Sequence, residues 1–291
     1  LEDIKVNGQA KLWYETNNVQ DNEMFNKSAG NTSTAGATSG EVVFKLGVTG
    51  KQGNVGFGAT VYQTSTMGLE KTLVSDDRQA TSGLGLDGNS TTDTGEMYTG
   101  EMYITVPVGA KTLLKIGKQE LDTPLTFTER WNATPNTFNA AVAINNSVDN
   151  LTLIGAYVGQ TNRGELTGVY ANTSVYAAAG LYKANGLSAN LWLYNLNSTA
   201  KAYWLDVAMK VAGANVKVYA ARMDPEASTV DSTDALAISA GTAVSGINLS
   251  AAYSRVSDGN TGSLAVGNVA TNYKKTKLPT AGVYTDGLYV A

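Results

Sequence analysis

Strict alternation constrains this chain more than any other feature. In "IKVNGQAKLWYETNN", residues 4–18, Ile4, Val6, Gly8, Ala10, Leu12 and Tyr14 are apolar or small, while Lys5, Asn7, Gln9, Lys11 and Glu15 are polar. A period of two over such a length describes a β-strand whose two faces meet different surroundings. One face must find oil, either a protein core or a bilayer.

The pattern recurs along the chain. "EVVFKLGVTG" sets Val42, Phe44, Leu46 and Val48 against Lys45 and Thr49; "NVGFGATVYQ" sets Val55, Phe57, Ala59 and Val61 against Thr60 and Tyr62. "EMYITV" and "TLLKIGKQ", "TFNAAVAI" and "LTLIGAYVGQ", "VYAAAGLYKA" and "ANLWLYNL", "YWLDVAMKV" and "NVKVYAARM", and "ALAISAGT" and "INLSAAYSRV" follow as successive pairs. Asn185-Gly186 is the strongest hairpin signal among their turns. About thirteen strands of roughly 8–11 residues are readable, the length a tilted strand needs to cross a bilayer.

The connections alternate too. Short turns near residues 51, 109, 147, 186, 213 and 245 take turns with the longer segments 16–40, 65–95, 119–136, 161–174 and 224–234, and only 197–199 is brief. Short turns at one end and long loops at the other are the sidedness of an outer-membrane barrel, with turns periplasmic and loops extracellular. A soluble β-sandwich also alternates, but with strands of about 5–6 residues and turn signals every ~8–12. Polar residues on the second face of nearly every strand point to a wet lumen, so the oil is expected to be lipid.

Composition agrees. Charged residues make up 16%, against about a quarter in soluble domains, while a mean hydropathy of −0.14 is too polar for a helical membrane protein. No run approaches the ~18 apolar residues of a spanning helix. With no Cys and no His, disulfides, thiol nucleophiles, Cys/His zinc sites and Ser-His-Asp triads are excluded. A net charge of −4 offers no footprint for nucleic acid. The chain opens directly on a strand, as a mature chain without its leader would.

Several motifs dissolve in context. Gly83, Gly85 and Gly88 match a dinucleotide fingerprint but sit in a loop with no strand–helix frame. Asp87, Asn89, Thr91 and Asp93 space like a calcium loop, yet Tyr98 stands where the bidentate Glu belongs. Asp258-Gly259-Asn260 is shorter still. Loop calcium is weakly supported, and no cofactor is expected. Trp13, Tyr14, Tyr98, Tyr157, Tyr203 and Tyr253, near strand ends, suit interfacial aromatic girdles.

Residues 117–138, "GKQELDTPLTFTERWNATPNTF", break the alternation. Pro124 and Pro135 bar a central strand, and Leu121, Leu125, Phe127 and Trp131 are too apolar for an ordinary exposed loop. The expectation is a loop over 119–136 folded into the lumen, with Asp122, Glu129, Arg130 and Trp131 at the constriction. Arg130 and Glu129 pairing with each other in bulk water is the alternative. Lys5, Lys11, Lys45, Glu101, Lys115, Asp206, Lys210 and Lys217 carry lumen parity, so a lysine-rich wall would face the acids of this loop.

Here a family resemblance enters. "KIGKQELDTPLTFTERWNATPNTFNA" resembles the strand-plus-constriction-loop segment of OprD-like specific porins. "GKQ.L…NNSVDNLTL" and "LWLYNL" are similar to the Campylobacter-type major outer membrane porins. The resemblance implies a transmembrane antiparallel β-barrel of 16–18 strands, often trimeric. Such a barrel sits in the lipid of a Gram-negative outer membrane and passes ions and small polar solutes by passive diffusion, with no enzymatic step. A calcium site known in relatives does not carry over, since Thr134-Pro135-Asn136 supplies no acid. Residues 1–291 read as one barrel domain, expected to lack its closing strands after "GVYTDGLYVA". A non-enzymatic surface or adhesive β-protein remains the alternative.

Overall fold

The computed structural model describes residues 1–16, 38–70, 97–128, 130, 134–161, 174–228, 231–256 and 287–290. Its strands are β1 (Glu2–Thr16), β2 (Thr38–Gln52), β3 (Val55–Glu70), β4 (Met97–Val108), β5 (Thr112–Gln119), β6 (Phe138–Val148) and β7 (Leu151–Thr161). They continue as β8 (Val175–Ala184), β9 (Leu187–Leu196), β10 (Ala200–Val211), β11 (Ala214–Pro225), β12 (Thr233–Val244), β13 (Ile247–Val256) and β14 (Gly287–Val290). All belong to one sheet in sequence order, each antiparallel to its neighbours. The first thirteen answer the alternating segments; β14 is only four residues long.

Turn chemistry explains one end of the sheet. At Asn185-Gly186, Ala212-Gly213 and Ser245-Gly246 both residues have positive φ, near +50° and then near +80°. That is the type I′ hairpin, whose twist matches that of the flanking strands. The turn between β2 and β3 falls at Gly53-Asn54, a step later than the sequence pattern suggests. The turn after β6 is at Asp149-Asn150 rather than Asn145–Ser147. Asn145 stays in the strand because its amide donates to Thr112 Oγ1 (2.7 Å) and Ser147 Oγ (2.9 Å), and a register irregularity absorbs the extra residues.

Following the register from strand to strand separates two faces. The open face carries Val6, Leu12, Phe44, Leu46, Met102 and Ile104, then Leu191, Leu205, Leu236 and Ile238, all exposed; Leu46 keeps 56% of its surface. Contiguous exposed oil of this extent marks an interaction surface. The other face is covered, with a core running from Leu121 and Phe138 through Val158, Trp192 and Trp204 to Met223 and Ala237.

Two expectations about faces need correction. Trp13 does not join an outward girdle; it lies on the covered face beside Val43 and Tyr62. Tyr157, Tyr203 and Tyr253 are exposed on the open face as expected, and Tyr157 is joined by Tyr176 with ring centres 5.5 Å apart. Nor is the covered face polar in every strand. Across β6, β7 and β8 it reads Ala140, Val142, Ile144; Ile154, Ala156, Val158; Val175, Ala177, Ala179, Leu181. These strands are apolar on both faces, so alternation of polarity disappears although alternation of direction persists.

Candidate functional site

The charged residues of the covered face build from β1 onward. Gln9 pairs with Lys45, Lys45 with Tyr62, Thr60 with Glu101, and Thr105 with Lys115. All eight predicted wall residues fall on this face: Lys5, Lys11, Lys45, Glu101 and Lys115 on β1–β5, and Asp206, Lys210 and Lys217 on β10–β11.

Three of the lysines lie over aromatic rings of the same face. The ammonium of Lys11 is 5.5 Å from the Trp13 centroid, Lys45 is 5.7 Å from Tyr62, and Lys115 is 3.8 Å from Tyr103. Such cation–π contacts hold the stem against the wall and keep the head towards solvent. Asp206 is fixed by two donors, Asn190 Nδ2 and Trp204 Nε1, both at 2.8 Å. Towards the short-turn end, Lys210 and Lys217 line a recess of about 600 Å³ together with Lys183. The sequence reasoning missed Lys183, although its parity on β8 was readable.

The segment after β5 is held by a buried glutamine. Gln119, 1% exposed, donates through its amide to the carbonyls of Ala140 (3.0 Å), Lys115 (3.3 Å) and Gly117 (3.4 Å). Beyond it, residues 121–128 form a miniature hairpin. Thr128 N–H donates to Leu121 O at 2.7 Å, Leu121 N–H to Thr128 Oγ1 at 3.1 Å, and Asp122 bridges Phe127. Its tip turns at Thr123–Thr126, where Thr126 N–H donates to Thr123 Oγ1 at 3.0 Å.

This hairpin packs against the covered face. Leu121 and Leu125 belong to the same buried cluster as Trp192 and Tyr194, and Leu125 N–H donates to the Tyr194 hydroxyl at 3.4 Å. The returning chain is tied at Thr137, whose hydroxyl donates to Gly100 O at 2.7 Å. The apolar content of the segment has found its partner: the apolar stripe of β6–β9.

The predicted constriction residues have different fates. Asp122 stands on the hairpin. Arg130 pairs with Glu120, its Nε and Nη2 lying 2.9 and 2.7 Å from Oε2, so it already has an acid other than Glu129. Glu129 and Trp131 lie outside the described residues, as do the motifs at 83–93 and 258–260. Glu120 went unnoticed in the sequence, although it accounts for Arg130; its own N–H donates to Glu101 Oε1 at 3.2 Å. Tyr194 was also missed, because nothing in "ANLWLYNL" says what its hydroxyl meets.

No protein-family model matches the chain. Comparison with curated protein sequences finds no match. Solved structures do match. The crystal structure of OccK8 (OprE) from Pseudomonas aeruginosa superposes with a TM-score of 0.63 at 15% identity, covering 87% of this chain and 68% of that one. OccAB1 of Acinetobacter baumannii gives 0.64 at 15%, covering 89% and 65%. OccK2 (OpdF) of Pseudomonas aeruginosa, solved in complex with glucuronate, gives 0.56 at 16%, covering 88% and 66%. The chain thus spans about two thirds of the length of these structures. The likeness establishes the fold: an all-β antiparallel barrel wall of the kind found in these structures.

Proposed function

We propose that the protein is an OprD-like outer-membrane porin, a passive diffusion channel for ions and small polar solutes in a Gram-negative bacterium. The observation that carries this reading is the division of one sheet into two faces. The open face carries an apolar band suited to lipid, with charged residues such as Lys118, Arg222 and Asp234 towards the long-loop end. The covered face bears ring-backed lysines, carboxylates and a loop packed on the wall. In a barrel the covered face is the inner one, because only there does a loop find wall on its far side.

The loop over 119–136 narrows the lumen, with Asp122 on its hairpin and Arg130 held by Glu120; Glu129 and Trp131 are assigned to the same waist from sequence. Lysines on the wall opposite these acids set a transverse field, which low-dielectric walls strengthen. They also suit solutes bearing a carboxylate, the group that glucuronate presents in the OccK2 crystal structure. Homotrimeric assembly and the Campylobacter-type likeness belong to this proposal and rest on the sequence resemblance. Reconstitution of the full-length protein in a planar bilayer tests it. Stepwise conductance is expected, and neutralising Asp122 and Glu129 together should move the reversal potential towards anions. Absence of conductance steps from folded protein would return the reading to a surface β-protein; an unmoved reversal potential would place the loop outside the pore.

A further inference from the structure

Beneath the hairpin of residues 121–128 lies a recess of about 290 Å³ on the covered face. Its floor is the stripe of β6–β8, including Val142, Ile144, Ile154, Ala156, Ala177 and Leu181, and its side is formed by Trp192 and Tyr194, whose rings stack 5.9 Å apart at 13°. Leu121 and Leu125 of the hairpin share a buried cluster with Val158, Val175 and Tyr194, the upper part of the stripe. Ile144, Ile154 and Leu181, lower on the same strands, are only partly buried. A polar diffusion path has no use for such a surface.

The recess has room for about ten waters at their ~30 Å³ share of the liquid, but a settled water needs two to four polar partners. The floor offers none. Polar groups gather at the rim, where Lys115 lies over Tyr103 and Glu120 holds Arg130. Of the charges lining it, Glu120 is paired with Arg130 outside the recess, and the other two, Lys115 and Asp122, are of opposite sign. An ion entering would shed hydration over a floor that offers no charge to recover it. An uncharged ring would release poorly bonded water and meet apolar side chains on three sides.

We propose that this recess is a binding subsite for uncharged solutes carrying a single small ring. It would work beside the lysine-lined path and take a different class of solute from it. That such a ligand is also a permeant solute rests on the channel reading above; that it binds does not.

Trp192, at the side of the recess, supplies a readout. Full-length protein in detergent is titrated with 4-nitrobenzyl alcohol, 4-nitrobenzoate and 4-nitrobenzylammonium, which share a quenching ring and differ in charge. Saturable quenching is expected for the alcohol, about tenfold tighter than for either ion, and it should vanish in Trp192→Phe. Ala156→Leu, which fills the floor, should weaken it about tenfold. Val142→Thr, of nearly the same shape with one methyl exchanged for a hydroxyl, should weaken it severalfold and serves if the larger side chain is not tolerated. Tighter or equal binding of 4-nitrobenzoate would overturn the proposal in favour of recognition by Lys115. Equal binding of the ammonium, or undiminished quenching in both wall variants, would overturn it as well. Saturable, variant-sensitive quenching in a protein that shows no conductance would uphold the recess and refute the channel.

Discussion

Lys45 and Leu46 are neighbours in sequence and opposites in surroundings. Lys45 lies against the ring of Tyr62 on the covered face, and Leu46 stands exposed between Gly8 and Val61 on the other. An arginine in place of Leu46 near mid-strand should cost about 2–4 kcal/mol of folding in lipid, while Lys45→Gln should cost under about 1 kcal/mol; urea titration in liposomes measures both. A Leu46→Arg protein as stable as wild type would reverse the two faces. Gly117 makes a second test. Its φ is +128°, and an added Cβ would run into the carbonyl oxygen of Met102, so Gly117→Ala should cost at least ~1–3 kcal/mol. Gly155 has nothing within 4 Å of its would-be Cβ, and Gly155→Ala should fold normally. Ala212, held at φ +49° in its turn, wastes about 1 kcal/mol that Ala212→Asn should recover. Parity on each strand was legible at this scale because direction follows from the backbone alone. Trp13 was misplaced because an aromatic beside an aromatic gives no polarity contrast to say which of the two turns inward.

The hairpin of residues 121–128 and the stripe beneath it belong together as elements. Leu125 is fully buried, and Leu125→Ala should loosen the hairpin at about 2–5 kcal/mol of local packing. Tyr194→Phe removes one hydrogen-bond acceptor and should cost about 0.5–1.5 kcal/mol. Proteolysis of the folded protein between residues 120 and 137 should speed up in the first variant far more than in the second. Equal rates would mean that the hairpin is not seated on Leu125. That this segment packs on the wall was legible in its own composition, since Leu121, Leu125 and two prolines suit neither a strand nor a solvated loop. Its seat was not recognised. "FNAAVAI", "LIGAYV" and "VYAAAGLY" lack polar residues at either parity except Asn139, a sign of strands buried on both faces. Expecting a wet lumen everywhere obscured it. Arg130 shows the complementary limit: a salt bridge ten residues back along the chain to Glu120 depends on a fold of the loop that charge spacing does not encode.

For the whole molecule the governing quantity is where charge sits. The chain is net negative, yet among the described side chains the covered face of β1–β5 carries Lys5, Lys11, Lys45 and Lys115 against Glu101, with Lys51 paired to Asp3. Removing two of them in a Lys45→Gln, Lys115→Gln protein should shift the reversal potential towards cations. The shift should be larger at 0.1 M salt, where fields reach about 10 Å, than at 1 M, where they reach about 3 Å; a shift of the same size at both would mean that these lysines are not exposed to the permeating ions. The strand rhythm made the architecture legible from thirteen segments, because short and long connections kept step with it. A four-residue strand such as β14 is too brief to alternate, which is why it escaped notice. The connectivity itself has an evolutionary consequence. Among the described residues every strand bonds only to its neighbours in sequence, so no ladder crosses another. Duplicating or deleting one hairpin, such as β10–β11 with its Ala212-Gly213 turn, preserves inside and outside for every other residue and leaves all remaining ladders intact. Circumference can therefore change two strands at a time by simple genetic events, while a single-strand change would invert direction downstream. Pores of different bore would then arise as a matter of copy number, with the same repeating unit and no redesign of its parts.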